Sequence, residues 1–590
     1  MTIDARTQVF TLLNDVRQNY GGMTKAAFRR SEAIAGYEKL PVRILTFDEK
    51  PNYPAIEAEI RTTGELEHCR LLNFCCAVAA LSESKEFARH VANNVKALPA
   101  KPRKKAKPQN SDAYAVANEE TDEVSTRSYF SRRGLFMTIE TTKVAPKRET
   151  VTYFHQGGGL RRRAVYQGSL GKLKELWLDY LIGEDQAMLV IDDNRIGRLF
   201  KTYTRPNVGK LFVQHTSHLE VTNASDLEGM LRKSYADVFR NLGTFDSVIS
   251  TNSFQNKELV RRLEPATLCV TIPNVNAVPD LPADTNRNAR RGVVLTRHSA
   301  EKNVEATVRA FERAYRAGAV DLLTVIGSPQ SGIYYDRARA LVKELNIGDV
   351  VSFEGHDSNA ASRYWNAGFT VLSSDYEGFG LVLVEAMSCG AVPVTFDTLF
   401  GPRSLITDGE NGFVAAQGNI EELGDAIISA SKISEGSGFR QRLMEFSHSF
   451  SGEIVSRMWV DLFNRVAATF AVRAQCKDLN IELTAVSRSG DTSNLEFSFR
   501  GFDVSASSSV KLVLQGFSSF ETVLIDGSWT GQNAHSFEVP DGVRAAFRDP
   551  SVTVYVELSF GEYKHRQRIK WPESWPKSVV TRTKAGNLNL

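Results

Sequence analysis

The sequence predicts an α/β protein built from two doubly wound domains that face a cleft. A β-rich insertion interrupts the first domain, and a small antiparallel β domain follows the second. Two series of short apolar strands separated by helical stretches predict the two domains, because strands of a parallel sheet are buried on both faces. After about residue 475, apolar and polar residues alternate as in antiparallel strands. A length of 590 residues allows three to four domains of about 150 residues each.

The composition is that of an ordinary soluble protein, with 42% apolar and 24% charged residues. No run approaches the roughly 18 apolar residues that cross a bilayer. The first residues lack the basic and apolar segments of a signal peptide. Six cysteines are spaced neither as a disulfide framework nor as a zinc site. These features predict a cytoplasmic protein with reduced thiols.

The first α/β domain is predicted over residues 1–60 and 166–285. Residues 61–165 break the α/β pattern with alternating strands, so we expect them to form a β-rich insertion. The segment near 98–127 is polar and rich in Lys, Pro, Asn and Glu. Such a composition buries too little apolar surface to fold, so this segment is predicted to be a disordered loop.

The second α/β domain is predicted over residues 286–472, where short apolar strands alternate with helical stretches. Its last helix, near 451–470, is expected to return to the first domain. In residues 475–590, Gly and Ser mark turns between alternating strands such as Val552–Phe560. This pattern is typical of a β-sandwich-like accessory domain.

The segment Glu377–Glu385 carries the strongest functional signal, because it joins a strand end, a loop and a helix. Gly378 and Gly380 allow backbone N–H groups to approach a ligand closely. The start of the helix offers free N–H groups and partial positive charge, which suit a diphosphate. Glu385 would lie about one turn into the helix, and Glu377 could contact what is attached beyond the diphosphate. The alternative is an ordinary loop with two surface carboxylates.

Arg297 and Lys302 directly follow the predicted strand at 292–296. Ligands of open α/β sheets bind at the carboxyl ends of the strands. Two cations at this place could hold a diphosphate and stabilise the negative charge that develops when it leaves. A strand end also carries such residues by chance, so the pair gains weight from its combination with the carboxylates.

His215 and His218 follow a predicted strand of the first domain. Histidine acts as an acid, a base or a hydrogen-bond partner near neutral pH. The alternative is two polar loop residues without a function. A glycine pair, Gly21 and Gly22, follows the first strand and forms a tight turn or a phosphate-binding turn. This pair lacks the full dinucleotide fingerprint, which argues against a nicotinamide-dependent enzyme.

Together, these residues resemble the family 4 retaining glycosyltransferases of GT-B fold, which have two Rossmann-like domains. The Arg297/Lys302 and Glu377/Glu385 spacings match the donor-site pattern of that family. Segments 21–26, 42–47 and 400–413 are similar to the bacterial poly(polyol-phosphate) α-glycosyltransferases, which decorate wall teichoic acid. The same branch includes transferases that start O-glycans on serine-rich adhesins. The resemblance covers about residues 1–470, apart from the insertion.

The resemblance implies a role for each candidate residue. The implied catalytic set is Glu377, Arg297, Lys302, His218 and His215. The implied set that binds the nucleotide sugar is Glu385, Gly21, Gly22, Phe379, Gly380, Leu381 and Gly327. In relatives, the two cations neutralise the diphosphate, the second glutamate holds the ribose, and one histidine faces the transferred sugar. The Thr-x-His spacing favours His218, with His215 as the alternative. His298 departs from the pattern, since many relatives carry an apolar or aromatic residue there.

The resemblance also implies the substrates and partners. The donor would be UDP-glucose or UDP-N-acetylglucosamine, and no metal or other cofactor is expected. The acceptor would be a poly(glycerol- or ribitol-phosphate) wall teichoic acid, with a serine-rich surface protein as the alternative. A non-catalytic binding subunit is the third possibility. We also expect a homo-oligomer, for example a trimer, formed through the insertion. Peripheral contact at the inner membrane surface is expected, and nucleic acid is not expected as a partner.

Overall fold

The computed structural model describes residues 3–589 with gaps and divides the chain into two compact units, residues 3–209 and residues 210–590. The residues outside the description are 18–19, 51, 63, 95–113, 132–133, 144–147, 156–162, 221–230, 264, 283–284, 435–437, 502–508, 517–521, 532, 547–551, 570–580, 583–587 and 590.

The unit of residues 3–209 begins and ends with α/β segments. In chain order it contains β1 (Gln8–Leu13), α1 (Gly22–Tyr37), β2 (Val42–Thr46), α2 (Tyr53–Thr62), β3 (Arg70–Asn73), α3 (Phe74–Leu81), α4 (Lys85–Asn94), β4 (Tyr114–Glu120), β5 (Val124–Ser131), β6 (Gly134–Thr142), β7 (Glu149–His155), β8 (Arg163–Gly168), α5 (Leu170–Ile182), β9 (Ala187–Ile191) and α6 (Asn194–Leu199). Strands β9, β1, β2 and β3 pair in this order, all in parallel. Every residue of β1 and β9 is buried, as expected for strands covered on both faces.

Strands β4 to β8 form a five-stranded antiparallel sheet in sequence order, within the predicted β-rich insertion. Two expectations need correction. Residues 114–127 were expected to belong to the disordered loop, but most of them form β4 and β5, with Ala117 opposite Ser128; residues 98–113 lie outside the description. Moreover, β3 pairs in parallel with β2, so the α/β pattern continues beyond residue 61. Backbone pairing stabilises these polar or short segments, and composition does not reveal such pairing.

A buried ion pair joins α1 to the end of β9. Arg30 Nη1 lies 2.8 Å from Asp192 Oδ1, and Nη2 lies 2.6 Å from Oδ2. The two side chains are only 5% and 0% exposed. Arg30 Nη2 also lies 3.4 Å from Thr11 Oγ1 on the central strand β1. The pair therefore fixes the first helix over the middle of the sheet.

The unit of residues 210–590 continues with α/β segments. In chain order these are β10 (Val208–Gln214), α7 (Lys233–Phe239), β11 (Ser247–Ser250), α8 (Ser253–Leu263), β12 (Leu268–Thr271), β13 (Asn288–Leu295), α9 (Val304–Arg316), β14 (Leu322–Ile326), α10 (Ile333–Glu344), β15 (Val351–Glu354), β16 (Ala367–Leu372), α11 (Leu381–Ser388), β17 (Val392–Phe396), α12 (Gly401–Leu405), β18 (Phe413–Ala415), α13 (Ile420–Ser431), α14 (Gly438–His448), α15 (Gly452–Ala468) and α16 (Phe470–Gln475). Strands β10, β11 and β12 pair in parallel. A six-stranded parallel sheet has the order β15-β14-β13-β16-β17-β18. This order reverses between β13 and β16, where ligands of doubly wound sheets bind.

The chain ends in an antiparallel sheet. Its strands are β19 (Asn480–Ser489), β20 (Thr492–Arg500), β21 (Ser509–Gly516), β22 (Thr522–Gly531), β23 (Ala534–Pro540), β24 (Val552–Phe560), β25 (Tyr563–Arg568), β26 (Thr581–Arg582) and β27 (Leu588–Asn589). Strand β22 pairs with β21 through residues 522–526 and with β23 through residues 527–531. One continuous sheet therefore curls around a shared apolar core that includes Phe497, Leu512 and Val556. Among the described residues, no helix combines the length and apolarity needed to cross a bilayer.

We predict that Asp192→Asn destabilises the unit of residues 3–209 by about 3–5 kcal/mol, because it leaves the buried Arg30 charge without its counter-ion. Urea unfolding monitored in the purified full-length protein would measure the loss. Asp321→Asn is the matched control, since Asp321 forms a bidentate pair with Arg290 in which the side chains are 48% and 44% exposed. Equal losses in the two variants would contradict a structural role for the buried pair.

Candidate functional site

Lys302 and Glu377, one residue from each predicted pair of charged residues, meet at the switch point of the six-stranded sheet. Lys302 Nζ lies 2.5 Å from Glu377 Oε1, although 75 residues separate them in sequence. Ser374 Oγ donates to the same carboxylate oxygen at 2.9 Å. The side chains of Lys302 and Glu377 are 18% and 14% exposed, so the pair lies at the margin of the protein interior. The structure thus brings together one cation and one carboxylate of the predicted set.

The turn that carries Lys302 is attached to the end of β16. Residues 300–302 form a single 3₁₀ turn, and Asn303 follows in the left-handed region with φ 46°. Ser373 Oγ lies 3.1 Å from the carbonyl oxygen of Lys302 and 2.9 Å from that of Asn303. Arg297, at the start of the turn, is 64% exposed and lies 2.9 Å from Glu301. Arg297 therefore presents an accessible guanidinium on the same turn as Lys302.

The loop after Glu377 approaches a second set of strand ends. Thr251 Oγ1 and Asn252 Nδ2, which follow β11, donate to the carbonyl oxygen of Gly378 at 3.1 and 2.6 Å. A Cβ at Gly378 would lie 1.9 Å from the carbonyl oxygen of His215, so glycine alone fits there. Gly380 precedes α11 with φ 88°, which also favours glycine. The predicted glycine positions thus permit a close approach of two loops.

His218 lies in the interior beside this contact and is fully buried. Its imidazole stacks on Phe400, with ring centroids 5.3 Å apart, and meets the edge of Phe239. Burial, together with the smaller effect of the positive charges of Arg262 and Arg232, lowers the pKa of His218 to about 3. The imidazole is therefore neutral at pH 7 and acts through hydrogen bonds rather than through charge.

His215 occupies a different environment, half-buried at the end of β10. Its backbone carbonyl makes the close approach to Gly378. The structure therefore places both candidate histidines beside the Glu377 loop, and aromatic side chains enclose the ring of His218.

Four further residues that were predicted to bind the donor lie in the unit of residues 210–590 and differ in burial and position. Glu385 is 3% exposed on α11, and Leu381 is the first residue of that helix. Phe379 is buried against Phe450, with ring centroids 5.6 Å apart. A Cβ at Gly327 would lie 1.7 Å from the carbonyl oxygen of Thr296, so this glycine allows the ends of β13 and β14 to cross closely.

Gly21 and Gly22 lie in the unit of residues 3–209, where Gly21 precedes α1 and Gly22 begins it. Gly21 has ordinary extended backbone, with φ −87° and ψ −178°. Among the described residues, no atom lies within 4 Å of a Cβ built at either glycine. The described surroundings of these residues therefore impose no requirement for glycine, and their role with a ligand stays a prediction.

Sequence reasoning missed the residues that connect His218 to the loop that carries Glu377. Asn252 and Gln255 stand before and within the first turn of α8, and Asn252 Oδ1 accepts from the backbone N–H of Gln255 at 2.7 Å. An Asn at a helix start reads as a simple capping residue, which hides its second contact. Phe400 was noticed only within a family motif. Its φ of 78° is unusual for a residue with a side chain and marks a constrained position.

We predict that Gly378→Ala lowers protein stability by about 1–3 kcal/mol, because the added methyl group must push the loop away from the His215 carbonyl. Thermal unfolding of the purified variant would detect the loss. Gly348→Ala is a suitable control, since no atom of the described residues lies within 4 Å of a Cβ at Gly348. A Gly378 variant as stable as this control would show that the two loops do not touch.

We predict that His218 makes protein stability more sensitive to acid. Its pKa is near 6.5 in the unfolded chain and about 3 in the folded protein, so the unfolded state binds more protons between these values. The stability contribution is complete above pH 6.5 and declines as the pH falls toward 3. Between pH 7 and pH 5, the unfolding midpoint of the wild type should therefore fall further than that of His218→Gln. His448→Gln, at an exposed position on α14, is the matched control. Parallel curves for the wild type and His218→Gln would contradict this assignment.

Comparison with known proteins supports a glycosyltransferase. Residues 284–446 match the family of glycosyl transferases group 1. The poly(glycerol-phosphate) alpha-glucosyltransferase of Bacillus subtilis strain 168 is 27% identical over 356 residues, which cover 58% of this chain and 51% of that protein. The chain thus matches about half the length of this relative. The poly(ribitol-phosphate) alpha-N-acetylglucosaminyltransferase of Staphylococcus aureus strain COL is 22% identical over 503 residues, which cover 78% of this chain and 99% of that protein.

A solved structure shows the same fold. A mutant of S. aureus TarM in complex with fondaparinux, alpha-GlcNAc-glycerol and UDP superposes with a TM-score of 0.61 at 19% identity. The superposition covers 78% of this chain and 100% of that chain. The predicted GT-B fold is confirmed, and so is the resemblance to the polyol-phosphate branch. Residues 284–446 therefore match the glycosyl transferases group 1 family, within a chain that has the GT-B fold.

Proposed function

We propose that this protein is a retaining glycosyltransferase that transfers an α-linked glucose or N-acetylglucosamine from a UDP-sugar to a poly(glycerol- or ribitol-phosphate) chain. The observation that carries the proposal is the meeting of Lys302 and Glu377 at 2.5 Å beside the start of α11. This arrangement places a cation for a diphosphate next to a carboxylate for a sugar hydroxyl. The names of the two bacterial relatives support the donor and acceptor classes.

In the proposed reaction, the donor diphosphate lies over the N-terminus of α11. Arg297 and Lys302 oppose the negative charge that grows on the leaving diphosphate, and the helix N–H groups add partial positive charge. These groups would neutralise the leaving group without a metal ion. Glu385, one turn into the helix, would hold the ribose hydroxyls.

The acceptor hydroxyl attacks the anomeric carbon from the face that the diphosphate leaves, so the α configuration is retained. The leaving phosphate oxygen takes the proton of that hydroxyl. Glu377 accepts a hydrogen bond from a hydroxyl of the transferred sugar, while Ser374 and Lys302 hold the carboxylate in place. Neutral His218 is the histidine that we propose to face the sugar, with His215 supplying backbone packing.

We propose the acceptor site and the assembly on the basis of the sequence pattern and the relatives. Gly21 and Gly22 would make room for the acceptor. The antiparallel sheet β4 to β8 would join copies of the chain into a homo-oligomer. The polymer precursors of wall teichoic acid are lipid-linked, so we propose that the enzyme acts at the inner membrane surface through peripheral contact.

The decisive experiment measures UDP release from UDP-glucose and from UDP-N-acetylglucosamine. Each donor is combined with poly(glycerol phosphate), poly(ribitol phosphate), a serine-rich peptide or no acceptor. We expect one donor to be released fastest with a polyol-phosphate polymer, and we expect this stimulation to fall with added salt because the acceptor is a polyanion. Stimulation by the peptide alone would favour a protein O-glycosyltransferase. Absence of stimulation by every acceptor would reject transferase activity.

We predict that Lys302→Ala lowers turnover by about a hundredfold, which corresponds to roughly 3 kcal/mol of lost transition-state stabilisation. UDP release at saturating donor would measure the effect. Lys343→Ala is the control, because Lys343 is exposed near the end of α10. Turnover of Lys302→Ala close to that of the control would show that this cation does not face the diphosphate.

A further inference from the structure

The side-chain amide of Gln255 is held in one orientation. Its nitrogen Nε2 lies 2.9 Å from the carbonyl oxygen of Thr216, and a carbonyl oxygen can only accept a hydrogen bond. Its oxygen Oε1 lies 3.3 Å from Nδ2 of Asn252, which donates to it. The donor end of the amide therefore points toward the segment 216–218.

Asn252 is oriented by the same logic. Its nitrogen Nδ2 donates to the carbonyl oxygen of Gly378 at 2.6 Å, and its oxygen Oδ1 accepts from the backbone N–H of Gln255 at 2.7 Å. Both amides are buried, with exposures of 3% and 0%. Reversal of either amide would place like atoms against each other in the interior, which is costly. Each hydrogen bond that connects Gly378, Asn252 and Gln255 therefore has a defined donor and a defined acceptor.

This direction decides where the proton of His218 lies. Nε2 of Gln255 is also 3.5 Å from Nδ1 of His218. An amide nitrogen only donates, so Nδ1 must accept and carries no proton. A neutral imidazole has one N–H, and that proton must then lie on Nε2. The Nε2 atom is buried and has no hydrogen-bond partner among the described residues.

Phe400 fixes the plane of the same imidazole. The two rings lie 24° from parallel, and a backbone bridge connects Phe400 to Glu377. Stacking alone would allow the imidazole to turn over within its plane. Such a turn would place carbon Cδ2 opposite the amide of Gln255 and lose the hydrogen bond to Nδ1. Gln255 and Phe400 together therefore determine both the plane and the edge of the ring.

We propose that Gln255 is a positioning residue that keeps His218 in the Nε2–H form, so that this N–H donates to an acceptor oxygen of the bound sugar nucleotide. The proposal rests on the transferase function proposed above and extends it from the histidine to the residue behind it. Because Asn252 connects Gln255 to Gly378, the protonated edge of His218 is set by the same loop that carries Glu377. Recognition of the sugar nucleotide is then coupled to the orientation of the histidine through Gly378, Asn252, Gln255 and His218 itself.

The test is a nitrogen NMR spectrum of the full-length chain labelled with ¹⁵N at its 10 histidines. His218→Asn assigns the signal. We expect an unprotonated Nδ1 and a protonated Nε2 in the wild type, and a mixture of both forms in Gln255→Met, which lacks the donor. Gln255→Glu should move the proton to Nδ1, because a carboxylate only accepts. Gln441→Met is the matched control, since Gln441 is exposed on α14 and should leave the His218 signal unchanged.

A wild-type His218 that carries its proton on Nδ1 would overturn the proposal, and so would a Gln255→Met spectrum identical to that of the wild type. Titration with UDP-glucose and UDP-N-acetylglucosamine should shift the Nε2 signal, and no shift with either donor also overturns it. Turnover of Gln255→Met, measured well below the melting temperature of the variant, should fall roughly tenfold. UDP release without a shift would reject this inference alone. A shift without UDP release with any acceptor would reject the transferase function alone.

Discussion

The candidate site depends on the contacts that Gly378 makes with the ends of β10 and β11. Two side chains from the end of β11 donate to the carbonyl oxygen of Gly378, and the backbone at His215 leaves no room for a Cβ on the glycine. These contacts bring the strand ends of β10 and β11 against the loop that carries Glu377. Without them, the histidine segment and the carboxylate segment would be separate features. Because Gly378 has no side chain, the segments that carry His215, His218 and Glu377 can pack against each other.

The electrostatics of the site follow from this packing. Lys302 is held by Glu377 and by backbone contacts to Ser373, whereas Arg297 stays exposed at the start of the same turn. One cation is thus preorganised beside a carboxylate, and the other is accessible to solvent while paired with Glu301. Preorganised charge acts strongly in a partly buried site, since the protein does not reorient when charge develops. Deep burial makes His218 neutral, so the site combines fixed charge with a neutral hydrogen-bonding ring.

Sequence patterns predicted the two series of apolar strands and the change to alternating strands near residue 475, and the structure contains both. They were weaker where polar residues or short runs form strands. Residues 114–127 have the composition of a loop, yet β4 and β5 are stabilised by backbone pairing with each other and with β6. Strand β3 has only four residues and became visible through its pairing with β2. Likewise, the predicted sandwich is one curled sheet, because β22 changes its partner halfway along its length.

The sequence by itself predicted the charged residues of the candidate donor site. The spacings of Arg297 with Lys302 and of Glu377 with Glu385 are local, because each pair lies on one strand–loop–helix connection. Only the tertiary structure decided which of these side chains meet and how His218 is oriented. That outcome depends on contacts between segments more than 100 residues apart, such as Asn252 with Gly378. It also depends on burial, which lowers the pKa of His218. The direction of the hydrogen bond at Nδ1 of the neutral ring is then determined by Gln255. Neither distance nor burial is encoded in a local pattern, so the fold had to bring these residues together.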